Sequence, residues 1–68
     1  MAYFLVPVAG DRARGVELLA LNGIQSLVGD DGALVARLAA PDPVKARVRV
    51  LASLEGGDFE VGQPVDES

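Results

Sequence analysis

The chain has 68 residues, a formal net charge of −4, and neither cysteine nor histidine. Those absences exclude disulfides, thiolate or imidazole metal sites, and the side chain best suited to proton transfer at neutral pH. A chain of this length buries only about 60% of the surface that its unfolded form exposes, and small proteins usually compensate with covalent or metal cross-links.

The composition predicts a protein partner. Half of the residues are hydrophobic, and a domain this small cannot bury all of their side chains. We therefore expect part of this surface to face a second copy of the chain or a larger protein assembly. The acidic balance, with one tyrosine, two phenylalanines and no tryptophan, argues against a nucleic-acid partner.

The first predicted element is a strand over residues 3–8, which are mostly β-branched, aromatic or other apolar residues. Pro7 lies inside this run and has no N–H group to donate to a ladder, so we expect an edge strand or a bulge. An exposed edge would leave residues 3–8 free to pair with another chain. Residues 1–9 lack a basic start and a long apolar run, so we expect no targeting segment and no membrane span.

Residues 11–22 are compatible with two structures. Asp11 is a good N-cap for a helix that would end at Gly23. Gly15 weakens that helix, and the alternative is a strand over residues 16–21 that turns at Asn22 and Gly23. The balance of these signals favours the helix.

A β-hairpin is predicted next. Residues 24–28 and 33–39 flank Asp30, Asp31 and Gly32, and aspartate and glycine are the residue types that tight turns require. In the second arm, the apolar residues at positions 34, 36 and 38 alternate with Val35 and Arg37. The hairpin should therefore present one apolar face and one mixed face.

Residues 43–54 give contradictory signals. Asp42 followed by Pro43 is typical of a helix start, and Gly56 and Gly57 are typical of a stop. Yet valine and alanine alternate with basic residues over positions 44–50, which is the period of a strand. On a strand the basic side chains would form one stripe, whereas on a helix they would be scattered.

These elements predict an α+β fold, a small antiparallel β-sheet with one or two helices. If residues 43–54 are helical, the order is the β-α-β-β-α-β of a ferredoxin-like sandwich. The alternative is a mainly-β small barrel or sandwich. We expect one domain over residues 1–61 and a flexible acidic tail over residues 62–68, since residues 55–68 carry five acidic side chains and no basic one.

No motif predicts catalysis. Ser26 and Ser53 could be served only by Lys45, and a domain this small can scarcely form the pocket that such a pair needs. The pair Asp30 and Asp31 fits a turn better than a cation site, and residues 10–15 lack the lysine and hydroxyl residue that follow a P-loop. We expect no enzyme activity, no cofactor and no metal.

The predicted function is a non-catalytic protein–protein interaction or structural assembly subunit, which forms oligomers or decorates a larger complex such as a virus particle. The expected location is the cytoplasm, with the virion as the alternative. The alternative function is a small regulator that binds an anionic ligand or nucleic acid through its basic residues. The candidate partner-binding residues are aromatic or basic: Tyr3, Phe4, Arg12, Arg14, Lys45, Arg47 and Arg49.

Overall fold

The computed structural model describes residues 2–67 as five strands and two helices in the order β-α-β-β-α-β-β. The strands are antiparallel and run β2-β3-β1-β4 across the sheet, while β5 lies beside β1 on the same side as β4. The predicted α+β class and ferredoxin-like order are confirmed, and the sheet is not closed into a barrel. The elements are β1 (Ala2–Ala9), α1 (Arg12–Leu21), β2 (Gln25–Val28), β3 (Leu34–Ala40), α2 (Pro43–Ser53), β4 (Glu60–Val61) and β5 (Val65–Asp66).

Helix α1 forms as its capping residues predict. The Asp11 carboxylate accepts a hydrogen bond from the Arg14 backbone N–H at 3.2 Å, and Gly23, just beyond the helix, has a φ of +72°. Gly15 lies buried where α1 packs on the sheet. A Cβ atom there would lie 2.7 Å from Leu34 Cδ2, so glycine allows a closer approach than any other residue.

Helix α2 also follows its capping signals, and the strand period over residues 44–50 was misleading. Asp42 caps the helix by accepting from the Lys45 backbone N–H at 2.8 Å, and Pro43 occupies the first turn. The buried positions are Ala46 and Val50, four residues apart, so the side facing the sheet has the spacing of a helix.

The core lies between the sheet and the two helices. Alternate residues of β1 and β3 point into it, as their period predicts, and both helices cover this one face of the sheet. The buried apolar residues are Phe4, Val6, Val8, Leu19, Ile24, Leu34, Ala36, Leu38, Ala40, Ala46, Val50 and Leu54.

Of the two expectations raised by Pro7, an edge strand or a bulge, the edge position is wrong. β1 pairs with β3 on one side and with β4 and β5 on the other, so residues 3–8 are not free to pair with another chain. The Pro7 carbonyl accepts a hydrogen bond from the Gly62 N–H at 2.8 Å, so both the carbonyl and the nitrogen of Pro7 face the β4 and β5 side of β1. Pro7 is tolerated because its nitrogen faces the gap where β4 has ended and β5 has not begun. Three residues, 62–64, stand opposite Val6 and Pro7 at this irregular point.

The structure also places part of the segment expected to be a flexible tail within the sheet. Val65 pairs with Leu5, and the Glu67 backbone N–H donates to the Tyr3 carbonyl at 3.0 Å. This pairing satisfies backbone groups in the first half of β1 that β4 is too short to reach.

Candidate functional site

The face of the sheet turned away from the helices is open and mainly apolar. Leu5 lies near its middle, paired with Arg37 of β3 and with Val65 of β5. Pro7 and Leu27 are both paired with Val35, which extends the apolar area across three strands. The residues of this open sheet face that carry apolar surface are Tyr3, Leu5, Pro7, Leu27, Val35, Ala39 and Val65.

Arg37 is the cation of this face, and neighbouring side chains engage its whole guanidinium group. Nε donates to Glu67 Oε2 at 2.6 Å and Nη2 donates to Glu67 Oε1 at 3.0 Å, which is a bidentate ion pair. Nη1 donates to Gln25 Oε1 at 3.2 Å, and the guanidinium carbon lies 4.0 Å from the centroid of the Tyr3 ring.

The ion pair makes the open sheet face electrically neutral at its centre. Hydrogen bonds from Arg37 lower the pKa of the Glu67 carboxyl group, and the same contact raises the pKa of Arg37. Both groups are therefore charged at neutral pH, and their charges cancel. An incoming surface meets no net charge from this pair.

The two aromatic candidates lie on opposite faces of the sheet. Tyr3 lies on the open sheet face, with the Arg37 guanidinium over its ring. Phe4 points to the opposite face and is buried in the core. Because successive side chains alternate across a strand, only one of these two neighbours could face outward.

The basic candidates on α1 are already engaged near the start of that helix. Arg12 Nη1 donates to the Gly32 carbonyl at 2.9 Å, which ties α1 to the β2–β3 turn. Arg14 forms an exposed ion pair with Glu17 at 2.9 Å. Because α1 and α2 follow the antiparallel strands β1 and β3, they begin at opposite ends of the sheet, and the five basic candidates are not gathered into one site.

Helix α2 presents a second exposed apolar surface. Val44, Val48 and Leu51 are 72%, 56% and 40% exposed, and they recur at positions i, i+4 and i+7. At 3.6 residues per turn these positions fall within about 60° of one another around the helix. We call this row of three side chains the α2 stripe.

Two basic residues of α2 border this stripe. Arg47 lies on one border and Lys45 on the other, as the helical period requires, whereas Arg49 lies farther round the helix, toward the sheet. Arg49 Nη1 is 3.4 Å from the Ala39 carbonyl, and Lys45 is exposed. The single basic stripe that a strand would have formed is therefore absent from this helix.

Arg47 also lines a cavity of about 260 Å³ beside the stripe. Its Nη2 donates to the Val61 carbonyl at 3.2 Å, while its buried Nε has no hydrogen-bond partner. The other residues lining the cavity are Pro43, Val44, Val48, Gln63 and Pro64, so its wall is mainly apolar with one cationic side.

The comparisons and the remaining chemistry point to no named activity. No protein-family model, curated protein or solved structure matches this chain. Within residues 2–67, the acidic side chains form no group of three that could hold a metal ion. Neither helix of this described region combines the length and apolarity needed to cross a membrane.

Several residues of these surfaces were missed by the sequence reasoning. The spacing of Val44, Val48 and Leu51 was a readable signal, but only once a helix was assumed in place of a strand. The contact between Arg37 and Glu67 joins residues 30 positions apart and carries no local signal.

Proposed function

We propose that this chain is a non-catalytic protein–protein interaction domain that assembles with a second copy of itself through the open sheet face. The observation that carries this proposal is the apolar surface around Leu5 and Leu27, which no helix covers. Exposed apolar side chains that are contiguous on one side of a sheet favour an interaction site.

Charge favours a second copy as the occupant of this face. The whole chain carries a net charge of −4, so most of the surfaces of two copies repel each other. The open sheet face differs because Arg37 and Glu67 neutralise each other there. The centres of two such faces can therefore meet without opposing like charges, whereas Glu60, paired with Ala9, lies at the margin of the face.

The dimensions of the molecule also suit such a contact. Its two longer dimensions are 28 and 26 Å, so one face offers a footprint of at most roughly 700 Å². Standard stable interfaces bury about 600–1,000 Å² per partner, so an interface at the lower end of this range would use most of the face. Two apolar sheet faces pack about 10 Å apart in proteins, which is the arrangement we propose.

The setting we propose is an assembly in which copies stand close together. A repetitive structure such as a virus particle, or a cytoplasmic complex, would supply the local concentration that an interface of this modest size needs. The exclusion of water from the open sheet face would then stabilise both the fold and the assembly.

The test measures oligomeric state across a concentration series of the full chain by sedimentation equilibrium. We expect a dimer that Leu27→Lys weakens at least tenfold, because the substitution places a charge in the apolar contact. Leu21→Lys is the matched control, since Leu21 is more exposed than Leu27 (76% against 37%) and lies on α1. Circular dichroism would verify that both variants keep the wild-type fold.

Two results would reject the proposal. One is a wild-type chain that stays monomeric up to millimolar concentration. The other is an equal loss of association in Leu27→Lys and Leu21→Lys, which would assign the contact to general hydrophobicity and not to the open sheet face.

A further inference from the structure

Helix α2 carries basic and exposed apolar side chains that its packing in the core does not explain. It contains three of the chain's six basic residues and no acidic residue, within a chain that is acidic as a whole. Its buried side includes Ala46 and Val50, which pack in the core beneath the helix. The α2 stripe lies on the outer side of the helix and takes no part in this packing.

The exposed valines of α2 are unfavourable for helix formation. Valine is less favourable than alanine in helices because its branched side chain loses rotamer freedom against the preceding turn. Val44 and Val48 are nevertheless the two most exposed members of the α2 stripe, and Leu51 continues the row one turn later. Side chains at i, i+4 and i+7 form the seam through which a helix packs against another helix.

The cavity beside the stripe adds a place for an anchoring side chain. Val44 and Val48 belong both to the stripe and to the wall of the cavity, so the two form one continuous surface. A volume of about 260 Å³ is enough for one large apolar side chain. Arg47 supplies a cation at the rim of the same space.

We propose that the α2 stripe and this cavity bind an acidic amphipathic helix of a partner protein. Its apolar side chains pack along Val44, Val48 and Leu51, with one of them in the cavity. Its carboxylates meet the basic residues that border the stripe, Arg47 on one side and Lys45 on the other. The net charge of the segment is negative, because α2 offers three cations and no anion.

The chemistry of α2 argues against two other occupants. A nucleic acid would satisfy the cations but would leave the apolar stripe without a partner, and α2 has no aromatic side chain on which a base could stack. A second α2 helix would match the apolar stripe, but it would set three cations against three cations.

The test is a selection of 12-residue peptides from a random display library on the immobilised full-length chain. We expect enrichment of sequences that combine acidic residues with apolar residues at helical spacing. The same selection on Val48→Asp should enrich none of them, because the substitution puts an anion in the middle of the stripe. The matched control is Leu21→Asp on α1, which should enrich the same peptides as the wild type.

One enriched peptide is then measured by fluorescence anisotropy. We expect its affinity to fall at least tenfold with Val48→Asp and with Lys45→Glu/Arg49→Glu, and to weaken as salt rises. Repeating the titration with Leu27→Lys separates this inference from the proposed function, since that substitution disrupts only the open sheet face. Unchanged binding there would support the α2 surface whether or not the chain dimerises.

Three outcomes of the selection would overturn the inference. They are the absence of any enrichment, enrichment of neutral or basic peptides, and enrichment of sequences that match residues 55–67 of this chain, which would make a second copy the occupant. A single-stranded oligonucleotide that binds at low salt and is lost in the double variant would likewise overturn it in favour of nucleic acid.

Discussion

Gly15 occupies the point at which α1 comes closest to the sheet, and we expect Gly15→Ala to destabilise the protein. In an exposed helix the same change would stabilise by about 1 kcal/mol, because alanine is the better helix former. Here the added Cβ would lie 2.7 Å from Leu34 Cδ2 and 3.2 Å from Phe59 Cε1. Carbon atoms in a packed core prefer a separation of about 3.5–4.0 Å.

The expected cost follows from these two distances. Leu34 must move by almost 1 Å while it remains buried, and extra methyl groups in a packed core cost about 1–3 kcal/mol. After the helix-propensity gain, the free energy of unfolding should fall by about 1 kcal/mol. In a domain of this size such a change lowers the melting temperature by about 4–8 °C.

A double-mutant cycle separates the packing cost from the helix propensity. Leu34→Val removes the Cδ2 atom that the new Cβ would meet, so Gly15→Ala should be neutral or stabilising in that background. The free energies are measured by urea unfolding, followed by circular dichroism. If Gly15→Ala stabilises the wild-type chain by about 1 kcal/mol, or if the two substitutions are additive, the close packing described for Gly15 is refuted.

Two further predictions concern the ends of elements. The pKa of Glu67 is lowered in the folded chain, so its ion pair stabilises the fold above the unfolded pKa of the carboxyl, and this contribution is lost as pH falls through the folded pKa. Glu67→Gln should remove this part of the pH dependence of the free energy of unfolding, measured by urea unfolding at a series of pH values. Asp42→Ala removes the cap of α2 and should lower the free energy of unfolding by about 1 kcal/mol, whereas Asp42→Asn should keep most of it in urea unfolding.

Local signals in the sequence indicated much of the framework of the fold, although they left residues 43–54 open between helix and strand. Asp11 and Asp42 mark the starts of both helices, and the turn at residues 30–32 marks the hairpin, because capping and turn formation depend on groups only a few residues apart. The strand period over residues 44–50 failed because a helix with small side chains at Ala46 and Val50 needs few apolar positions to pack on the sheet.

The features that sequence reasoning could not reach depend on distant contacts. Pro7 lies in a central strand because the break between β4 and β5 falls beside its nitrogen, and those strands are more than 50 residues away. Choosing Tyr3 over Phe4 as the exposed neighbour requires knowing which face of the sheet the helices cover. Both features depend on how the strands and helices are arranged in the folded chain.

The break beside Pro7 also bears on fibril formation. The sheet ends on one side at a discontinuous pair of two-residue strands, β4 and β5, and on the other at the four-residue strand β2. Neither margin offers a long, regular row of backbone groups on which further chains could stack by strand addition. We therefore expect these short margins to disfavour open-ended cross-β growth when copies are crowded, even though half of the residues are hydrophobic.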